Sequence, residues 1–142
     1  MVATEDNNTF NVRPIGIIHS ELLNRDEAPK QGYEGAPDAW VEVYAEFAGG
    51  LEGIAAGNEI ILVTWFHKAY RNLLRVHPRG DRSRPMTGVF STRSGDRPNP
   101  MALHRVTVLQ IEGNKIRVGP LEAVNGTPVI DIKPVLPRSV DS

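Results

Sequence analysis

The apolar residues of this chain come in short runs, each closed by glycine, proline or a polar turn. No run keeps a helical period for long, and that rules out most architectures at once. Glu59–Phe66 (EIILVTWF) is continuous, apolar and β-branched, and it predicts a strand buried on both faces. Leu103–Glu112 (LHRVTVLQIE) alternates, Gly113-Asn114 supplies a tight turn, and Lys115–Val118 returns, which predicts a hairpin. Val12–His19 reads as a first or edge strand interrupted by Pro14 and Gly16. Ala39–Phe47, Gly88–Thr92 and Val129–Ile132 read as further strands, and Gly50–Ala56 as one short helix at most. Many short strands at near-regular spacing with little helix predict a mostly β fold, a barrel or a sandwich.

The 142 residues favour one domain with a core that needs neither disulfide nor metal. Met1–Asn11 is a polar, acidic tail without a secretion signal. No apolar stretch approaches the ~20 residues of a membrane helix, so the reading is a cytoplasmic protein away from membranes. The chain has no cysteine, which excludes thiolate chemistry, zinc ribbons and iron–sulfur clusters. His19, His67, His77 and His104 are scattered, without metal-ligand spacing, so no metal is expected. There is no Gly-rich strand-to-helix turn, no Walker loop and no Gly-x-Ser-x-Gly elbow. Doubly wound nucleotide-binding folds and acyl-enzyme chemistry are therefore disfavoured.

A net charge of −1 conceals an asymmetry. Met1–His67 carries 3 basic and 11 acidic residues, whereas Lys68–Arg105 carries 9 basic and 2 acidic. The basic block is almost all arginine, which suits two-pronged contact with phosphate or carboxylate. Either it meets an anionic partner, or it pairs with the acidic half of its own chain.

Four polar motifs stand out. Pro29-Lys30-Gln31 lies in the long Glu21–Pro37 loop, either gripping a ligand or simply solvated. His67-Lys68 follows Trp65-Phe66 at a strand end, where His67 is either a proton acceptor or a satisfied terminus. Arg93 and Arg97 bracket a turn leading into Pro98-Asn99-Pro100, whose two prolines fix the backbone around Asn99. Leu121-Glu122 precedes Asn125-Gly126-Thr127-Pro128; Glu122 could bind ribose hydroxyls or an amino group, and Asp131 beyond it could pair with Lys133 or an arginine.

Taken in order, Pro14–Ser20, Pro29–Gly32, Trp65–His67, Gly88–Ser94, Arg97–Pro100 and Gly126–Pro134 resemble the TsaA-like or TrmO-type family over about Arg13–Pro137. The resemblance implies a single small β-barrel with one or two short helices and long functional loops. The expected bounds are 12–137 for the barrel, with tails at 1–11 and 138–142. It also implies an S-adenosyl-L-methionine-dependent methyltransferase acting on the N6 nitrogen of threonylcarbamoyladenosine in tRNA, beside the anticodon. Cofactor contacts carry over to Pro29, Lys30, Gln31, His67, Lys68, Arg93, Leu103, Leu121 and Glu122. A homodimer with the cofactor near the subunit interface is implied, and the C-terminal domain of longer members is not expected in a chain ending at Ser142. Lys68, Met101-Ala102, Asn125 and Val135 depart from the usual family residues.

On this reading His67 is the expected base and Arg97 or Arg93 the donor to the acceptor's carbonyl, with Asp131 nearby. Arg71, Arg75, Arg79, Arg82 and Arg84 are the expected tRNA contacts. Methylation of a small molecule or another nucleoside, and a non-catalytic cofactor-binding barrel, are the competing expectations.

Overall fold

The computed structural model describes residues 8–23 and 37–137. Among these, β1 (Gly16–His19), β2 (Ala39–Val43), β3 (Glu59–Trp65), β6 (Met101–Glu112), β7 (Lys115–Gly119) and β8 (Pro128–Pro134) close into a barrel in the order β1-β2-β7-β6-β3-β8. Every neighbouring pair is antiparallel. A ribbon of β4 (Arg75–Val76) and β5 (Thr87–Gly88) stands apart, within the excursion that connects β3 to β6. The remaining helical structure among the described residues is 3₁₀, at Ala45–Leu51, Pro78–Gly80 and Val89–Ser91. No helix among them is long and apolar enough to cross a membrane.

Side chains alternate in and out along each strand, so every second residue meets at the axis. Ile18, Val41, Val43, Ile60, Leu62, Val106, Val108, Ile116, Val118 and Val129 fill the interior, with Leu121 and Ala123 from the stretch after β7. This alternation corrects the reading of β3 as buried on both faces. Ile60, Leu62 and Thr64 face inward; on the outer face Val63 is buried too, whereas Ile61 and Trp65 are only half-buried. The hairpin lies where its sequence puts it, with a register shift between Val108 and Gln110.

Four elements also differ from expectation. β1 begins only at Gly16, because Pro14 has no amide to contribute to a ladder. β2 stops at Val43, and the chain turns into the Ala45–Leu51 segment, whose Phe47 packs on the core. The short helix is thus N-terminal to the predicted Gly50–Ala56. The Gly88–Thr92 strand is instead a 3₁₀ turn after β5: the amide of Val89 donates to the Leu74 carbonyl (2.9 Å), and the Thr92 hydroxyl donates to the Val89 carbonyl (3.0 Å).

The barrel seam depends on Gly16, which pairs with Val43 on one side and Val129 on the other. A Cβ there would collide with the Glu42 carbonyl. Gly16→Ala is therefore expected to lower the unfolding free energy by about 2 kcal/mol in a urea titration. Gly49→Ala, where a Cβ meets nothing within 4 Å, should bring no comparable loss.

Candidate functional site

One end of the barrel is roofed by the excursion between β3 and β6, and a cleft of about 780 Å³ lies beneath it. That is within the range of small-molecule sites, about 300–1,000 Å³. Its floor is the barrel mouth: Thr64 at the end of β3, His104 near the start of β6, and Glu122 from the stretch after β7. Its walls include Phe66, Arg75, Arg79, Arg82 and Arg93.

The floor residues form one chain of hydrogen bonds. Thr64 Oγ1 lies 2.9 Å from His104 Nε2, and His104 Nδ1 lies 3.0 Å from Glu122 Oε1. A carboxylate can only accept, so Nδ1 donates to Glu122 and Nε2 faces the Thr64 hydroxyl. Thr64 and His104 are buried, while the Glu122 side chain keeps 24% of its surface exposed. Sequence reasoning missed His104 because its partners stand 40 and 18 residues away. Its inward place in an otherwise apolar alternation, two residues before buried Val106, was the available signal.

The stretch holding Glu122 is itself anchored. The amide of Asn125 donates to the Leu22 carbonyl (2.6 Å), and that of Gly126 to the Ile18 carbonyl (2.8 Å). Asn125 Oδ1 accepts from the Ser20 amide at 3.0 Å, and the Thr127 hydroxyl donates to the Val124 carbonyl at 2.7 Å. Gly126 has φ 86°, a conformation that favours glycine.

Of the residues expected to hold a cofactor, Arg93 and Glu122 line the cleft. Leu121 is fully buried in the core, and Leu103 is 54% exposed on the outer side of β6. His67 and Lys68 occupy an exposed turn after β3, outside the cleft lining. Partial desolvation, and then the Lys68 ammonium, lower the His67 pKa, which favours the neutral ring. Pro29, Lys30 and Gln31 lie outside the described residues.

Two residues expected to act in catalysis have partners within the fold. Arg97 turns its guanidinium onto the carbonyls of Ser94 (2.9 Å), Thr92 (3.1 Å) and Val89, so it braces the turn beside the cleft. Asp131 lies away from the cleft lining; it accepts from the Ile132 amide (2.9 Å) and pairs with Lys133 at 2.9 Å.

The arginine block divides in the same way. Arg71 stacks over Trp65 at 5.0 Å and donates to the Pro98 carbonyl (2.7 Å) and Asn99 Oδ1 (3.3 Å), so it clamps the Pro-Asn-Pro turn. Arg75 donates to the Met86 carbonyl at 3.3 Å, and Arg84 approaches Asp81 at 3.7 Å. Arg105 reaches back to the acidic half, to Glu59. Arg82 and Arg93 are exposed on the cleft wall without a hydrogen-bond or ion-pair partner among the described residues. No group of three or more His, Asp or Glu among the described residues is placed to hold a metal ion.

A closed β-barrel with an arginine-walled, carboxylate-floored cleft over its mouth is a compact ligand-binding barrel. Residues 17–142 match the tRNA-methyltransferase O N-terminal domain, and the chain belongs to that family. It is similar to the probable S-adenosyl-L-methionine-binding protein of Methanothermobacter thermautotrophicus, 41% identical over 87% of this chain and 88% of the relative. It is also similar to the S-adenosyl-L-methionine-binding protein of Archaeoglobus fulgidus, 40% identical over 89% of this chain and 90% of the relative. The crystal structure of TrmO from Pseudomonas aeruginosa superposes with a TM-score of 0.73 at 28% identity, covering 94% of this chain. This chain spans 59% of that longer one.

Two outcomes follow. Arg97→Ala should lower stability by about 2 kcal/mol in a urea titration, because hydrogen bonds from a charged donor to the turn are lost. In an NMR titration His67 should protonate below the usual histidine midpoint. Lys68→Ala should raise that midpoint only part of the way, since desolvation is the larger cause.

Proposed function

We propose that this chain binds S-adenosyl-L-methionine in the barrel-mouth cleft and transfers its methyl group to the N6 nitrogen of threonylcarbamoyladenosine in tRNA, beside the anticodon. The observation that carries this reading is the meeting of Arg93, Glu122 and Phe66 around one cleft of suitable size. Glu122 offers a carboxylate to hydrogen-bond donors of the molecules bound there. Arg93 offers a guanidinium to a carboxylate, and Phe66 an aromatic ring to a base. Bound there, the cofactor supplies a methyl group already activated by a positively charged sulfur. The protein's share is then largely alignment and the exclusion of water.

The acceptor follows from charge. Arg75, Arg79 and Arg82 enter the cleft wall from the excursion, and a polyanion presented there would meet guanidinium groups rather than the acidic half of the barrel. The carboxylate of a threonylcarbamoyl group and the flanking phosphates both suit that wall. The outer side near the cleft exposes Phe90 (81%), Leu103 (54%) and Met101 (43%). Covering these by a second copy agrees with a homodimer whose cofactor lies near the interface, and it would bring Leu103 out of water.

Titration calorimetry with S-adenosyl-L-methionine tests the cofactor. Micromolar binding that ATP does not match is expected, and equal or absent binding overturns it. Nucleoside mass spectrometry of tRNA incubated with protein and cofactor tests the acceptor. Methylated threonylcarbamoyladenosine is expected, and methylation of free nucleosides only would point to a small-molecule acceptor. Arg82→Glu should weaken tRNA binding and reduce the log–log salt slope by about one.

A further inference from the structure

The proposed reaction creates a proton that must leave the acceptor nitrogen, and the group expected to take it, His67, lies outside the cleft lining. The cleft has its own candidate in the chain Thr64–His104–Glu122. Buried polar groups are costly unless satisfied, and here each member satisfies the next (2.9 Å and 3.0 Å). His104 is 9% exposed and cannot swing out without abandoning both partners. Its Nδ1–H fixes one oxygen of Glu122, while the carboxylate as a whole remains part-exposed on the cleft floor.

We propose that Glu122 is the proton acceptor of the cleft and that His104, held by Thr64, is the positioning residue that aims it. This inference rests on the methyl-transfer reading above. In the step, a new N–C bond forms at the acceptor nitrogen as the S–C bond of the methyl donor breaks, and that bond's electron pair stays on sulfur. The N–H proton passes to the Glu122 oxygen that His104 does not hold, leaving a neutral thioether, a methylated nitrogen and a protonated Glu122 that returns its proton to water. A carboxylate is a sufficient base, because the nitrogen's proton becomes strongly acidic as the N–C bond forms. His104 does not touch the substrate; its donated hydrogen bond keeps the carboxylate in place.

The other ionisable groups lining the cleft are His77, Asp96, Arg75, Arg79, Arg82 and Arg93. Glu122→Gln, nearly isosteric, is expected to lower kcat on tRNA by about 100-fold or more. Its calorimetric affinity for S-adenosyl-L-methionine should change by less than about tenfold, as for the loss of one hydrogen bond. His104→Ala removes the donor that aims Glu122, so kcat should fall by about tenfold or more while KM for tRNA and cofactor affinity stay within about twofold of wild type. His104→Asn, whose side-chain amide can donate from a similar place, should bring kcat back toward wild type.

A merely structural His104 would lower kcat and cofactor affinity together, without rescue by His104→Asn, and that result overturns the proposal. So does full activity in Glu122→Gln. Wild-type protein that binds the cofactor yet methylates no RNA would instead overturn the methyl-transfer reading, and this inference with it. Active wild type with unmoved variants overturns this inference alone.

Discussion

The pairing of β1 with both β2 and β8 is the constraint on which the remaining architecture depends. Without it the six strands form an open sheet with two unsatisfied edges; with it every strand has two partners. The seam is narrow: four residues on the β2 side and two on the β8 side. Backbone bonds from Ile18 to Thr127 and from Gly126 to Ile18 extend it ahead of the start of β8. The same bonds anchor the stretch that carries Leu121 into the core and Glu122 onto the floor. The seam therefore both closes the hydrophobic interior and positions the carboxylate. A mutation that loosens Gly16 should be felt at the cleft, though Gly16 does not line it.

Closure also explains why the polar chemistry gathers at one end. A small barrel is filled by its own inward side chains and leaves no room for a ligand along its axis. Among the described strand residues, polar side chains reach the interior face at the mouth, where Thr64 and His104 replace apolar residues in the alternation. The excursion from Phe66 to Pro100 then arches over them. Its arginines do two jobs. Arg71 and Arg97 are turned inward onto carbonyls and hold the arch in shape, whereas Arg82 and Arg93 remain directed to the cleft. A positive wall is thus built on a scaffold that is itself made of arginine.

Much of the fold was legible because barrel strands leave local marks. The Leu103–Val118 hairpin is written in alternation and a Gly-Asn turn, and β3 in its β-branched run. What stayed hidden was settled by tertiary contacts. Val89 looks like a strand residue but is drawn under the Leu74 carbonyl, and Phe47 leaves the β2 line to cover the core. At the site, Arg93 and Glu122 could be named from motifs. Arg97 and Asp131 carried the right chemistry in neighbouring positions, but only the folded chain shows their partners to be the turn backbone and Lys133. His104 left almost no local trace, since its meaning comes from two residues on other elements.

A crystal structure of the protein soaked with S-adenosyl-L-methionine tests the central claim most directly. The account predicts cofactor density beneath the excursion, with a donor group of the ligand within hydrogen-bond distance of Glu122 and its carboxylate near Arg93. Density confined to the outer side beside His67 and Leu103, with the cleft empty of ligand, would contradict it.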